Sequence, residues 1–147
     1  MVEVARERCP QTKVTFQVRD MCCTGIEDGW ADMVTGSYAL RNAPVLDDAL
    51  VEIRRILKPG GSAAFLDFAK PPAAWQQSIQ IPLLKFWGGF WGWVLHGGPE
   101  HAYIAESLRQ FPDRIALRER FVRRGFKLKQ SRNCFGGMLE ILVLVRE

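Results

Sequence analysis

The stretch from Asp32 to Pro71 constrains the fold more than any other part of the sequence. Asp32 to Gly36 has the composition of a short strand, and Val45 to Leu57 carries apolar residues at helical spacing. Pro59 to Gly61 ends that helix and turns the chain. Ser62 to Phe68 is almost continuously apolar, which is typical of a strand covered on both faces. The helix spans ~20 Å and the second strand ~23 Å, so the stretch predicts a right-handed strand–helix–strand unit.

The chemistry of such a unit is expected beyond the carboxyl ends of its strands, because ligands of open α/β sheets bind there. The first strand is followed by residues 37–42 and the second by residues 67–71. We call the space between these two segments the strand-end crevice.

The rest of the chain extends this unit to a doubly wound α/β pattern that ends in an antiparallel hairpin. Strands are predicted near residues 14–18, 32–36, 62–68, 126–132 and 139–145. Further helices are predicted at residues 1–9, 100–111 and 113–124. Cys134 to Gly137 joins the last two strands as the turn of the hairpin.

Length, charge and cysteine content exclude several classes of protein and of binding site. A chain of 147 residues suggests one domain, and 48% hydrophobic with 24% charged residues is ordinary for a soluble globular protein. The net charge of +4 is too small to indicate a nucleic-acid partner. Four cysteines without a C-x-x-C pair indicate reduced thiols and a cytoplasmic location. His96 and His101 have no carboxylate or cysteine cluster near them in sequence, so no metal site is predicted.

Four runs carry a family resemblance: DMVTGSYALRN, ALVEIRRILKPGGSAAFLDFAKP, YIAESLRQFPD and NCFGGMLEILV. Together they resemble the ubiquinone/menaquinone biosynthesis C-methyltransferase family. The resemblance implies a class I, Rossmann-like three-layer fold with a mostly parallel sheet and a C-terminal antiparallel hairpin. It also implies S-adenosylmethionine as the cofactor and a prenylated benzoquinol or naphthoquinol as the methyl acceptor.

The sequence departs from the family at its start. Met1 to Arg8 aligns with the helix that follows the family's second strand, and no G-x-G pattern occurs in the 147 residues. The family's first two strands, glycine-rich loop and ribose-binding acid therefore have no counterpart, and residues 1–147 are expected to form a partial, N-terminally truncated methyltransferase domain.

The truncation predicts an open sheet edge. In the family's sheet order, the two strands without a counterpart lie between strands 14–18 and 32–36, a gap of roughly 14 Å. Strand 14–18 could collapse onto strand 32–36, a second chain could fill the gap, or the sequence is a fragment of a longer product. We expect a homo-oligomer or a complementing chain. The chain is then a fragment or split form of the enzyme, or a non-catalytic remnant that docks to another methyltransferase chain.

The resemblance assigns three residues to the cofactor. Asp20 and Met21 match positions that meet the adenine, and Ser37 matches a cofactor-contacting position at the end of the central strand. The alternatives are that Asp20 caps a turn and that Ser37 is a solvated loop serine.

The same resemblance places Tyr38, Arg41 and Asn42 beside the quinol ring. Methyl transfer to an aromatic carbon needs a neighbouring phenol close to ionisation, and a guanidinium stabilises that developing phenolate. We expect Arg41 and Asn42 to be catalytic and Tyr38 to bind substrate. The alternative for Arg41 is an ion pair with a surface acid, and Asp67 is expected to be satisfied by loop amides.

His101 and Tyr103 are expected to line the substrate entrance, or else to pack on a helix surface. The tryptophan-rich segment 73–95 is expected to be an amphipathic cover that accepts the prenyl tail and touches the inner membrane surface, or a core helix. It does not span a bilayer, because Ile79 to Leu95 reaches only ~26 Å as a helix and the hydrocarbon core is ~30 Å thick.

Overall fold

The computed structural model describes residues 2–8, 13–79, 82–83, 86 and 107–147, and every contact below refers to these residues. The helices are α1 (Val2–Arg8), α2 (Leu46–Ile56) and α3 (Arg114–Arg123). The strands are β1 (Ala31–Ser37), β2 (Leu57–Phe68), β3 (Phe126–Cys134) and β4 (Leu139–Arg146). Short 3₁₀ turns occupy Leu40–Asn42 and Phe135–Gly137, and residues 74–79 and 107–110 are also helical.

The four strands form one sheet in the order β1-β2-β4-β3. β1 and β2 are parallel, with Thr35 opposite Ala64. β4 is antiparallel to both of its neighbours, β2 and β3. Three strands therefore point the same way and β4 alone runs against them, which confirms the α/β class and the C-terminal hairpin.

One hydrophobic cluster joins the helices to the sheet. Phe121 of α3 is fully buried and stacks on Phe65 of β2 with ring centroids 5.8 Å apart. The ring of Phe126, at the start of β3, contacts the ring of Phe121 edge-on, with centroids 5.4 Å apart. Leu50 and Ile53 bring α2 into this cluster. The sheet face that carries Phe65 is therefore the main core, as the apolar spacing of α2 predicts.

β2 begins earlier than the sequence indicates. Ile56 ends α2 and the strand starts at Leu57, which pairs with Ala31 before the register shifts. The shift accommodates the turn, where Gly60 has a φ of 76°. A side chain at Gly61 would lie 2.8 Å from the Lys58 carbonyl, so only glycine fits this close approach.

The predicted strand at residues 14–18 is wrong. No strand is assigned to residues 13–19, and the side chains of Val14 and Val18 are 56% and 82% exposed. The Phe16 carbonyl accepts a hydrogen bond from Arg6 of α1 (2.8 Å) instead of from a strand. Alternating residues do not form a strand without a partner to pair with, and in the described part of the chain β1 has a neighbour on its β2 side alone.

A buried carboxylate fixes the loop before β1. Glu52 of α2 is 7% exposed and accepts hydrogen bonds from the Thr24 amide (2.8 Å) and the Thr24 hydroxyl (2.6 Å). Arg55 Nε donates to its other oxygen at 2.8 Å. The hydrogen bond from Arg55, helped by those from Thr24, overcomes burial and lowers the pKa of Glu52 to about 2.

Glu52 is expected to make folding acid-sensitive. Its pKa is lower in the folded state than the ordinary 4.5, so its contribution is complete above about pH 4.5 and is lost as the pH falls towards 2. Glu52→Gln is expected to cost about 1–3 kcal/mol at pH 7 and to flatten this dependence, measured by urea unfolding across pH. Glu119→Gln, at an exposed ion pair with Arg123, is the control. An unchanged acid dependence in the Glu52 variant would contradict the assignment.

Candidate functional site

The segment after β1 leaves the sheet through a strained residue. Tyr38 has a φ of 54°, a left-handed conformation that side chains other than glycine rarely adopt. Its amide donates to the Leu66 carbonyl and its carbonyl accepts from Asn42 Nδ2, both at 2.8 Å. Its ring lies 5.3 Å from that of Phe68. These contacts hold the 38% exposed Tyr38 side chain at the mouth of the strand-end crevice.

A buried ion pair joins the two strand ends. The side chains of Arg41 and Asp67 are 6% and 7% exposed, and Arg41 Nε lies 3.7 Å from Asp67 Oδ1. The Arg41 amide donates to Asp67 Oδ2 at 3.2 Å, and the Phe68 amide donates to Asp67 Oδ1 at 2.9 Å. The guanidinium lies 5.5 Å from the centre of the Phe68 ring, and its Nη1 donates to the Ser107 hydroxyl. Arg41 thus connects both strand ends with helical residues 107–110.

Burial raises the pKa of Asp67, while the amides and the nearby guanidinium of Arg41 act against that rise. The expected satisfaction of Asp67 by loop amides is confirmed. Arg41 does pair with an acid, but the acid is buried at the end of β2 rather than on the surface. Asp67 therefore holds Arg41 in place.

Arg41 and Asn42 line a cavity of about 440 Å³. Ser107, Gln110 and Arg120 also line it. Two permanent cations and neutral hydrogen-bonding groups thus line one space, an arrangement that suits an oxygen-bearing ligand that gains negative charge.

A smaller groove of about 280 Å³ lies near the C-terminal end of β2. It is lined mainly by apolar side chains: Pro71, Trp75, Ile79, Leu83, Phe135 and Met138. Trp75, Ile79 and Phe135 are 66%, 60% and 78% exposed. Such clustered exposed apolar groups are typical of a site for an apolar ligand or a membrane surface.

The residues predicted to bind the cofactor lie in the loop before β1 and at the end of that strand. Asp20 Oδ1 accepts a hydrogen bond from the Cys22 amide (2.8 Å), and its carbonyl accepts from the Cys23 amide (3.1 Å), which is the turn-capping alternative. A carboxylate offers about four acceptor positions, so capping leaves capacity for another donor. Met21 is half-buried against the core, and Ser37 ends β1 exposed. A role for these three residues in binding the cofactor stays a prediction.

Other predicted features lie partly outside the described residues, including His101, Tyr103 and three tryptophans of segment 73–95. Within the described ranges, no helix is long and apolar enough to cross a bilayer, and no group of histidine, cysteine or acidic residues could hold a metal ion. Cys22, Cys23 and Cys134 are free thiols.

Helix α3 is less solvated than its arginines suggest. Arg118 donates to the carboxylate of Glu140, which is 4% exposed and also accepts from the Ser131 hydroxyl at 2.7 Å. Arg120 Nη1 reaches Asp47 of α2 at 2.9 Å. Arg118 therefore joins α3 to β4, and Arg120 joins α3 to α2. The signal in the sequence for the first of these pairs is Glu140, the one acid in the largely apolar strand β4.

Comparison with known proteins gives the family. The ubiE/COQ5 methyltransferase family matches residues 1–144. The chain belongs to this family. Among its curated relatives, the UbiE C-methyltransferases of Caulobacter sp. (strain K31) and Acidiphilium cryptum (strain JF-5) are 31% and 32% identical over 94% and 96% of the chain. The chain spans 55% and 59% of the length of these two ubiE/COQ5 relatives.

Solved structures agree on the fold of this ubiE/COQ5 chain. A Haloferax volcanii methyltransferase in complex with the Trm112 activator has a TM-score of 0.70 at 18% identity, and covers 99% of this chain and 67% of its own. A SAM-dependent methyltransferase from Aquifex aeolicus has a TM-score of 0.64 at 12% identity, with 99% and 63% covered. The protein therefore has the class I methyltransferase fold.

Proposed function

We propose that this chain forms the substrate side of a SAM-dependent C-methyltransferase that acts on a prenylated benzoquinol or naphthoquinol. Membership of the ubiE/COQ5 family supports the reaction class. The observation that carries the proposal is the buried Arg41–Asp67 pair, which fixes a guanidinium in the wall of a cavity at the strand-end crevice.

The chemistry assigns a role to each residue of the crevice. The cofactor supplies an electrophilic methyl group on a sulfonium. Arg41 stabilises the phenolate that makes the neighbouring ring carbon nucleophilic, and Asn42 holds the loop through the Tyr38 carbonyl (2.8 Å). Asp67 positions Arg41, and the Tyr38 ring forms one side of the quinol site. A base then removes the proton from the methylated carbon.

The apolar groove gives the prenyl chain a place to bind. Trp75, Ile79 and Phe135 expose apolar surface there, and burial of each methylene is worth ~0.8 kcal/mol. The same exposed apolar side chains support peripheral contact with the inner face of the membrane.

The cofactor would rest on Asp20, Met21 and Ser37, but a glycine-rich loop must come from another polypeptide segment. β1 offers the attachment point, because in the described part of the chain its outer edge pairs with no strand. Met33 and Trp30 expose 61% and 65% of their surface beside this edge. A second candidate function rests on the same edge: a non-catalytic module that docks to another methyltransferase chain.

Binding measurements on the 147-residue chain test the proposal. Under anaerobic conditions, calorimetry is expected to detect binding of a short-chain demethylated prenylquinol and no micromolar binding of S-adenosylmethionine. Trp75→Ala should weaken quinol binding, whereas Val18→Ala, an exposed control far from the groove in sequence, should not. Failure to bind the quinol would contradict the substrate-side assignment, and micromolar binding of the cofactor would contradict the need for a second segment.

A further inference from the structure

A second large cleft lies at the opposite end of the sheet from the strand-end crevice. It has a volume of about 820 Å³, and its lining includes Gly29 just before β1 and Pro59 near the start of β2. We call it the arginine cleft, after the residues that dominate its lining: Arg54, Arg55, Arg123, Arg124 and Arg146. Since arginine stays protonated at any physiological pH, the cleft carries a permanent positive charge.

Two of these arginines stabilise the fold. Arg55 pairs with Glu52 at 2.8 Å and also with Asp28. Arg146 Nη1 donates to the carbonyls of Arg54 (2.8 Å) and Leu57, which lie at the C-terminal end of α2. Cations at that end of a helix offset its partial negative charge. Their positions are therefore explained without a ligand.

Arg54 also lies in the last turn of α2, but its side chain makes no hydrogen bond or ion pair with any described residue. Its Nε is buried without a partner, as are those of Arg41, Arg114 and Arg146. A side chain at Gly125 would lie 2.8 Å from that Nε, so the glycine (φ 77°) makes room for the guanidinium. Arg54 is half-buried in the cleft wall, so its terminal nitrogens are available to an acceptor that enters the cleft.

Arg123 and Arg124 lie beside Arg54 at the end of α3. Arg124 is only loosely paired, 3.5 Å from Asp47, and Arg123 pairs with Glu119 along an exposed helix face at 3.2 Å. Pairs of this kind contribute little to stability. Both guanidiniums can therefore turn to a ligand at small cost.

We propose that the arginine cleft binds an anion that bears phosphoryl groups, with Arg54 and Arg124 as its main ligands. Guanidinium forks match phosphate oxygens in a bidentate manner. Asp28 is the one acid in the lining, and no aromatic residue lines the cleft to stack on a base. The ligand class is therefore a diphosphate or an anionic phospholipid headgroup rather than a nucleotide.

This site goes beyond the proposed methyl transfer. It is formed by the opposite end of β1 and β2, and none of its lining residues lines the cavity at Arg41. Phosphoryl binding and quinol binding can therefore fail independently in the experiments that test them.

The test uses inorganic pyrophosphate in calorimetry and phosphatidylglycerol vesicles in co-sedimentation, both at low salt. Arg54→Gln combined with Arg124→Gln is expected to weaken binding about tenfold or more. Arg132→Gln, an exposed arginine on β3 outside the cleft, should leave binding unchanged. Asp28→Asn should strengthen it, because it removes the one acid from the lining.

The two probes separate the possible sources of the phosphoryl group. Binding of pyrophosphate supports a soluble ligand, and binding to vesicles alone supports a lipid headgroup. The proposal is overturned if neither probe binds, or if the double arginine variant binds as well as the parent chain. Should that variant fail to fold by circular dichroism, Asp28→Asn decides: unchanged affinity in this variant would also overturn the proposal.

Discussion

Replacing Phe121 with alanine is expected to lower the free energy of unfolding by about 3–5 kcal/mol. Phe121 is 0% exposed and contacts the rings of Phe65 and Phe126, so it joins α3 to both β2 and β3. The truncation removes apolar contact and leaves a cavity between a helix and a sheet that cannot easily collapse. Urea unfolding followed by circular dichroism measures the loss.

The matched control is Ile115→Ala on the same helix, where the side chain is 51% exposed. We expect a change within about 0.5 kcal/mol there. Equal effects of the two substitutions would show that α3 does not pack on the sheet through Phe121.

Removal of the Arg41 guanidinium is expected to lower the free energy of unfolding by a similar amount to the Phe121 substitution. Arg41→Met leaves the Asp67 carboxylate buried without its cation, and breaking one partner of a buried pair costs about 3–5 kcal/mol. The pKa of Asp67 is already raised by burial, and it should rise further in the variant. When a carboxyl has a higher pKa in the folded state than in the unfolded state, the protein becomes less stable as the pH rises. The variant should therefore be less stable at pH 8 than at pH 4.

The double variant Arg41→Met, Asp67→Asn serves as the control for this pair. It has no buried charge, so it should recover much of the lost stability and lose the extra pH dependence. If the double variant is as unstable as Arg41→Met at pH 8, the ion pair is not what holds the strand ends together. Arg41→Lys keeps the charge but not the planar fork, and is expected to retain stability better than activity.

The sequence predicts most of the described sheet because local patterns and chain lengths determine it. The spacing of Leu50 and Ile53 predicts α2, and the apolar run from Ser62 to Phe68 predicts β2. The predicted start of α3 at Asp113 is confirmed: Asp113 is the N-cap residue, and its side chain accepts hydrogen bonds from the Ile115 and Ala116 amides. These features depend on neighbours within a few residues, which the sequence displays directly.

The features that were missed depend on partners distant in the chain. Residues 14–18 alternate like a strand, yet they have nothing to pair with. Arg41 and Asp67 are 26 residues apart, and they meet only because β1 and β2 are parallel and end at the same level. Arg54 and Gly125 are separated still further, so the arginine cleft could not be seen before the helices were placed side by side.

Strands β1 and β2 of the described sheet differ in how fully they are paired. β2 has partners on both sides, β4 and β1, and Phe65 on β2 belongs to the hydrophobic core. Among the described residues, β1 pairs with β2 alone. Asp67 at the end of β2 therefore has a scaffold paired on both sides, and in the proposed function the cofactor side depends on what pairs with β1.

The most direct test of this account is methyl transfer by a chimaera. The part of the Caulobacter relative that lies outside the matched region is joined to this chain, and transfer from labelled S-adenosylmethionine to a demethylated prenylquinol is measured. We predict transfer by the chimaera, loss of transfer in its Arg41→Lys variant, and none by the 147-residue chain alone. Transfer by the chain alone, or a chimaera that binds both ligands without transfer, would contradict the account.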